Sequence, residues 1–282
     1  MLYNARTDLA SEAHALLNPA VGENSGVIAH TDTLHDLKLV SVEITNAVGE
    51  RTIGKPRGKY FTLTLPPHFE RGAADFPSSA CAVRELILRC APKSFGSCLV
   101  AALGNPDITP DALGSLAASH VLVTRHLKLA AEPGFEPFGN VALCRTGVLG
   151  TTGVESAAQL AALIREVQPD FVIAVDALAG SEADSLGRCV QVSSAGIAPG
   201  SGVKNDRTPL TRDTLGVPVV AVGVPTVIDA SVLGGDAALA AMFVTPREID
   251  SLVRSAARVI AYGINMVLHP GLSVQDIDML VG

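Results

Sequence analysis

AAQLAALIREVQPDFVIAVD, residues 157–176, contains both halves of an α/β unit. Ala157, Leu160, Ala161, Ile164 and Val167 recur at the three- and four-residue steps of one helix face. Pro169-Asp170 stops that helix, and Phe171 to Val175 comes next as an unbroken apolar run of strand length. A strand without polar alternation is covered on both faces, as in a parallel sheet. Asp176 ends the run.

The same rhythm recurs on both sides. Upstream, Ala82, Leu86 and Cys90 mark a helix face, and Cys98 to Leu103 reads as a second buried strand. Thr109-Pro110 then predicts an N-cap and first helical position, placing Asp111 at about the second. Downstream, Val219 to Val224 comes after Gly216 and Pro218 as a third strand. Thr245-Pro246-Arg247-Glu248 predicts a capping box that opens a long helix, with Ile249, Leu252, Val253, Ala256, Val259, Ile260, Ile264 and Val267 on one face. Strands alternating with helices pair in parallel through right-handed crossovers. The expected fold is therefore α/β: a doubly wound, mostly parallel sheet flanked by helices. Leu39 to Ile44 and Tyr60 to Leu65, separated by a turn through Gly54, Pro56 and Gly58, predict a small antiparallel flap near the N-terminal third. Leu9, Ala13, Leu16 and Leu17 predict an amphipathic helix near the start.

The 282 residues are 48% hydrophobic and 4% aromatic, with no Trp, and the mean hydropathy is +0.36. Such a chain can bury a large core, and no Pro/Ser-rich linker or charge run divides it. A net charge of −7 with scattered basic residues excludes a nucleic-acid face; the densest cluster, Lys55, Arg57 and Lys59, reads as a solvated turn. The amino terminus has no apolar signal region, and Val217 to Val227 is broken by Pro218, Gly223 and Pro225, well short of a membrane span. A cytoplasmic protein without membrane partners is expected. Five cysteines (Cys81, Cys90, Cys98, Cys144, Cys189) form no C-x-x-C and read as small buried hydrophobes.

Ligands of an open parallel sheet bind beyond the carboxyl ends of its strands. Gly104-Asn105-Pro106-Asp107-Ile108-Thr109-Pro110-Asp111 leaves the first strand, Asp176 ends the second, and Gly223 to Asp229 closes the third. An acid directly after five buried residues is costly unless paired or functional. Two carboxylates at adjacent strand ends can divide acid and base roles: one ionised and activating water, the other neutral and donating a proton. Asp111 alone reads equally as an ordinary helix-start acid. Gly200-Ser201-Gly202 lacks the nucleophile-elbow spacing, and Gly147, Gly150 and Gly153 lack both dinucleotide spacing and a convincing preceding strand. No H-E-x-x-H occurs, and no cofactor or metal is expected; His126 reads as a helix-surface residue.

Taken in order, several segments resemble the spore germination protease family. They include Ala5-Arg6-Thr7-Asp8-Leu9-Ala10, Ser25-Gly26-Val27-Ile28, Thr109-Pro110-Asp111-Ala112-Leu113-Gly114, Val123-Thr124-Arg125-His126-Leu127 and Gly147-Val148-Leu149-Gly150. The match continues through residues 169–178, Pro199-Gly200-Ser201-Gly202-Val203, Gly223 to Ala230 and Val244 to Asp250. That resemblance implies an aspartic-type endopeptidase that degrades the small acid-soluble proteins coating DNA in the spore core. Its two catalytic aspartates would fall on Asp111 and Asp176, with Asn105, Asp229 and His126 as possible supporting residues. It further implies a homotetramer and a self-cleaving zymogen. The family cuts after an acid and before a hydrophobic-Ala pair, in a context like Glu-Ile-Ala-Ser-Glu; Asp8-Leu9-Ala10-Ser11-Glu12 reproduces that pattern. The expected organisation is a leader over residues 1–8 and a single α/β peptidase domain over 9–282. Pro106 stands where the family usually has tryptophan, and only Ser231 to Phe243 lies where members commonly carry a longer insertion. Two rivals share the scaffold. One is a metal-dependent peptidase like the hydrogenase-maturation enzymes, using Asp111, Asp176 and His126. The other is a non-catalytic binding module.

Overall fold

The computed structural model describes residues 7–17, 26–201, 207–230, 239 and 242–281. Ala5-Arg6, Ser25, Gly202-Val203 and most of Ser231 to Phe243 lie outside them, as do residues 1–6 of the expected leader.

In chain order the elements are α1 (Ala10–Ala15), β1 (Val27–Leu34), β2 (Leu37–Ile44), α2 (Ala47–Ile53), β3 (Gly58–Thr64), α3 (Phe76–Cys90), β4 (Ser97–Leu103), a 3-10 turn (Thr109–Asp111), α4 (Leu113–Ala118) and α5 (Arg125–Leu129). Next come β5 (Asn140–Gly147), α6 (Leu149–Thr152), α7 (Ser156–Val167), β6 (Phe171–Gly180), β7 (Cys189–Ser193), α8 (Arg212–Leu215), β8 (Val219–Asp229), β9 (Phe243–Val244), α9 (Ile249–Leu268) and α10 (Val274–Val281). Among the described residues, nine strands form one sheet in the order β1-β2-β3-β7-β8-β6-β4-β5, with β9 paired to β8. β8, β6, β4 and β5 run parallel, as the repeated helix–strand rhythm requires. β1, β2, β3 and β7 form an antiparallel wing that joins the parallel half through β7 and β8.

Helices cover both faces. α3, α4 and α9 pack on one, burying Val83, Leu86, Leu113, Val253, Ile260 and Ile264 against Val100, Ile173, Val175 and Val222. α7 and α8 pack on the other, where Leu160 and Leu215 meet Leu99, Val172 and Ala174. Each fully buried Leu or Ile here contributes roughly 1.5–3 kcal/mol relative to exposure. Gly114 lets α4 press onto the junction of β4 and β6: a Cβ there would come within 2.4 Å of the Leu103 carbonyl and 2.6 Å of that of Val175.

Several expectations need correcting. The three strands read as buried are β4, β6 and β8, but β6 and β8 run on to Gly180 and Asp229, keeping their pairing to the end. Asp176 therefore lies inside a strand, and the chain passes from β6 to β7 without an intervening α-helix. Asp111 closes a 3-10 turn ahead of α4; Ile108 holds the N-cap position, so Thr109 already lies inside the turn and makes no cap. Thr245 donates its hydroxyl to the Thr226 carbonyl at 2.8 Å instead of capping α9, whose N-cap is Glu248. The turn between β2 and β3 contains α2, capped by the Asn46 side chain accepting from Val48 and Gly49. Gly147 does end a strand: β5, at the sheet edge, is polar or half-buried at several positions and lacks the apolar signature of its neighbours.

Candidate active site

From β4 the chain passes through α4 to β5 at the sheet edge, then crosses back through α7 to β6; from β6 it continues the other way, through β7 and α8 to β8. The crevice between β4 and β6 is thus the topological switch point, where a doubly wound sheet accepts ligands. Asp111 lies just beyond β4 and Asp176 belongs to β6.

Asp176 has the same side-chain parity as Val172 and Ala174, so its carboxyl projects from the sheet face packed by α7, just past that apolar floor. It is only 5% exposed, and its Oδ1 accepts from the Ala177 N–H at 2.9 Å. Burial, then the nearby charge of Asp111, then that of Asp8 hold this carboxyl well above the usual carboxylate range. Asp111 is half-buried, and its Oδ2 accepts the Asn105 N–H at 2.8 Å. Burial raises it as well, while the Asn105 N–H favours the ionised form and opposes the rise. The neighbouring acids are thus biased unequally. Burial and like charge bias Asp176 further towards the protonated form than Asp111, whose rise the Asn105 N–H opposes.

Both line a cavity of about 400 Å³ together with Gly104, Asp8, Thr226 and Arg207. The Arg207 guanidinium lies 3.5 Å from Glu155. Gly104, at φ +88°, lets the exit of β4 pass against the 3-10 turn: a Cβ would sit 2.0 Å from the Asp111 carbonyl and 3.0 Å from its Oδ1. Gly104→Ala is therefore expected to cost at least about 1–2 kcal/mol from the left-handed backbone alone. It should also displace Asp111 and reshape the cavity that Asp111 and Asp176 share; a thermal melt of the variant checks the cost.

The segment Thr7 to Glu12 enters the same crevice. The Asp8 N–H donates to the Ala179 carbonyl at 2.8 Å, and the Asp8 carboxylate accepts from the Ala179 N–H at 2.9 Å and the Ser201 hydroxyl at 2.8 Å. Leu9 and Ala10 are buried behind it. Glu12, 5% exposed, accepts from the Ser181 N–H, the Ser181 and Ser185 hydroxyls and the Thr7 hydroxyl. Half-buried Lys55 donates to the Thr7 carbonyl at 3.0 Å. Burial depresses its ammonium, and the charges of Asp8 and Glu12 pull it back up. The acids of Asp8-Leu9-Ala10-Ser11-Glu12 thus both have built receptors along the end of β6.

The other candidate residues divide. Asn105 acts on Asp111 through its main chain, while its side chain accepts from the Asp107 N–H. Asp229 ends β8 opposite Phe243 and does not line the cavity. His126 is exposed on α5 and also lies outside it. Among the described residues, no group of three or more His, Cys, Asp or Glu side chains is placed to hold a metal ion. The reading of Asp111, Asp176 and His126 as one ligand set therefore has no geometric support. Reading the sequence alone misses Lys55, Ser181, Ser185, Gln191 and Ser201. Gln191 had a signal, as the one large polar residue in the apolar alternation of Cys189 to Ser193. Lys55 had none, because the Thr7 carbonyl it meets lies 48 residues away along the chain.

A family model described as germination protease matches residues 5–240. A germination protease of Clostridium perfringens is 33% identical over 327 residues, covering 98% of this chain and 99% of that protein. One from Caldanaerobacter subterraneus is 36% identical over 318 residues, covering 98% of each. One from Bacillus mycoides is 38% identical over 250 residues, covering 83% of this chain and 66% of the relative. Among solved structures, the hydrogenase maturation protease HycI of Thermococcus kodakarensis is a distant likeness, with TM-score 0.39 and 18% identity over 66% of this chain and 97% of that one.

Proposed function

Because this chain belongs to the germination protease family, we propose that it is an endopeptidase working through Asp111 and Asp176, made with a leader over residues 1–8 that it removes itself. The observation that carries this reading is the shared cavity: the two acids line it together with Asp8, and Asp111 and Asp8 both act on the Asp176 carboxyl. Ionised Asp111 takes a proton from a water whose oxygen bonds to the substrate carbonyl carbon. Neutral Asp176 donates to the carbonyl oxygen; as the C–N bond breaks, Asp111 passes the proton it took to the leaving amine and the diol hydroxyl returns a proton to Asp176. No covalent intermediate forms.

The pH–rate profile is expected to be bell-shaped and to belong to the pair. Activity falls on the acid side as Asp111 takes up a proton and on the alkaline side as Asp176 loses its own. Both carboxyls are raised, so both limbs lie above the ordinary carboxylate range. Leader release removes the Asp8 charge from beside Asp176, which should move the alkaline limb to lower pH. The pH profile of leader release by the full chain, set against that of substrate cleavage by the processed form, checks the sign.

Small acid-soluble spore proteins are the proposed substrates, met in the spore core by a homotetramer of this chain; sedimentation checks the assembly. No helix among the described residues is long and apolar enough to cross a membrane. Incubating the protein with one such substrate and mapping the cut tests the activity. Cleavage after an acid, before a hydrophobic-Ala pair, supports the reading, and cleavage only at bonds without a preceding acid contradicts it.

A further inference from the structure

Gln191 lies in β7, 7% exposed, with neither a catalytic nor a folding role yet attached to it. Its side-chain Nε2 donates to the Asp8 carbonyl at 3.0 Å, and its Oε1 accepts from the Ala10 N–H at 2.7 Å. One amide thus spans the Asp8–Leu9 peptide bond, gripping the carbonyl on its acidic side and the backbone N–H two residues on.

The register explains how it reaches there. Gln191 pairs with Gly223 across β7 and β8, and Gly223 pairs with Asp176 across β8 and β6. Directly paired residues project to the same face, so Gln191 and Asp176 stand level on the α7 side, two strands and roughly 10 Å apart. Thr7 to Ala10 lies over that face, with Gln191 on one flank and the aspartate cavity on the other. Asp8 lines both the larger cavity and a second one, of about 170 Å³, that contains Gln191 and Lys55.

We infer that Gln191 is a further catalytic residue, whose amide donates to one lone pair of the scissile carbonyl oxygen and stabilises the negative charge that develops there as water adds, before Asp176 delivers its proton to the other. The inference rests on the reading of Asp8–Leu9 as the bond cut. A preorganised donor aimed at that oxygen from a buried strand position is worth more as the oxygen gains charge than in the ground state. Because both contacts are to backbone, the same grip would hold any chain laid along this track, whatever its side chains. The alternative role is structural: Gln191 merely satisfies Ala10, whose N–H belongs to the unpaired first turn of α1.

Gln191→Glu separates the two roles, since it keeps the acceptor for Ala10 but replaces the donor with a group that repels the oxyanion. Gln191→Met removes both contacts at similar volume. The experiment tracks the first-order release of residues 1–8 from the full chain by mass spectrometry, with thermal melts of each variant. The expected result is a fall in the rate constant of about 10²–10³-fold in both variants, at a temperature where the melts show both still folded. Release at near wild-type rate in either variant overturns the inference while leaving the aspartates in place. Slowing of Gln191→Met alone, in step with its melting temperature, assigns Gln191 the structural role. A wild-type chain that never cuts Asp8–Leu9 contradicts the self-cleaving reading and this inference with it.

Discussion

Asp176→Asn is expected to reduce peptide cleavage by about 10²–10⁴-fold, the usual worth of a positioned acid or base, and at the same time to stabilise the protein. The amide keeps the shape and an oxygen for the Ala177 N–H, but it cannot release a proton. The stability sign comes from burial. The folded carboxyl is held well above the usual range, so from the ordinary carboxylate pH upward the native state binds more protons than the unfolded one. That contribution is fully present below the unfolded pKa and is lost as pH rises towards the folded value. Asn has no such loss, so the melting temperature of Asp176→Asn should exceed that of wild type by a margin that widens on going from acid to neutral pH. Calorimetry across that interval checks it; a variant that melts lower at every pH would contradict the buried-acid account. Asp111→Asn should lose comparable activity with a smaller change in stability, because Asp111 is half-buried and keeps the Asn105 N–H.

Asp8→Ala is expected to slow leader release at least about 100-fold. The substitution removes the carboxylate that accepts from the Ala179 N–H and the Ser201 hydroxyl. Hydrogen bonds to a charged group contribute roughly 1.5–3 kcal/mol each; without them the segment is unseated, and each ~1.4 kcal/mol lost from seating cuts the cleavable fraction about tenfold. While attached, Asp8 also fills part of the crevice that a substrate would need. A chain lacking residues 1–8 should therefore cleave substrate without a lag, where the full chain shows one. Time courses of substrate loss by the two forms measure this; equal lags would separate the leader from any inhibitory role.

The parallel half of the fold was legible in sequence because its strands are buried on both faces. Cys98 to Leu103, Phe171 to Val175 and Val219 to Val224 carry no polar interruption. Asp176 stood out for the same reason: a single acid against an apolar run. β5 was not legible, since an edge strand with Arg145 exposed and Asn140 half-buried has neither clean alternation nor an apolar run. Nor was the length of β6 and β8, whose last residues include Ala179, Gly180 and Asp229 and are held by pairing with neighbouring strands rather than by propensity. Asp111 was found for a partly mistaken reason, as a helix-start acid, when a 3-10 turn and a main-chain donor hold it. The receptors for Asp8 and Glu12 come from β6, the loop after it and residue 201, and such long-range pairings leave no local trace.

The most direct measurement is the amino-terminal sequence of the full chain after incubation, for wild type and Asp176→Asn side by side. The account predicts that wild type acquires a new terminus at Leu9 and that Asp176→Asn keeps residues 1–8. A Leu9 terminus forming at equal rate in Asp176→Asn, or wild type that cleaves substrate fully with residues 1–8 still attached, would contradict it.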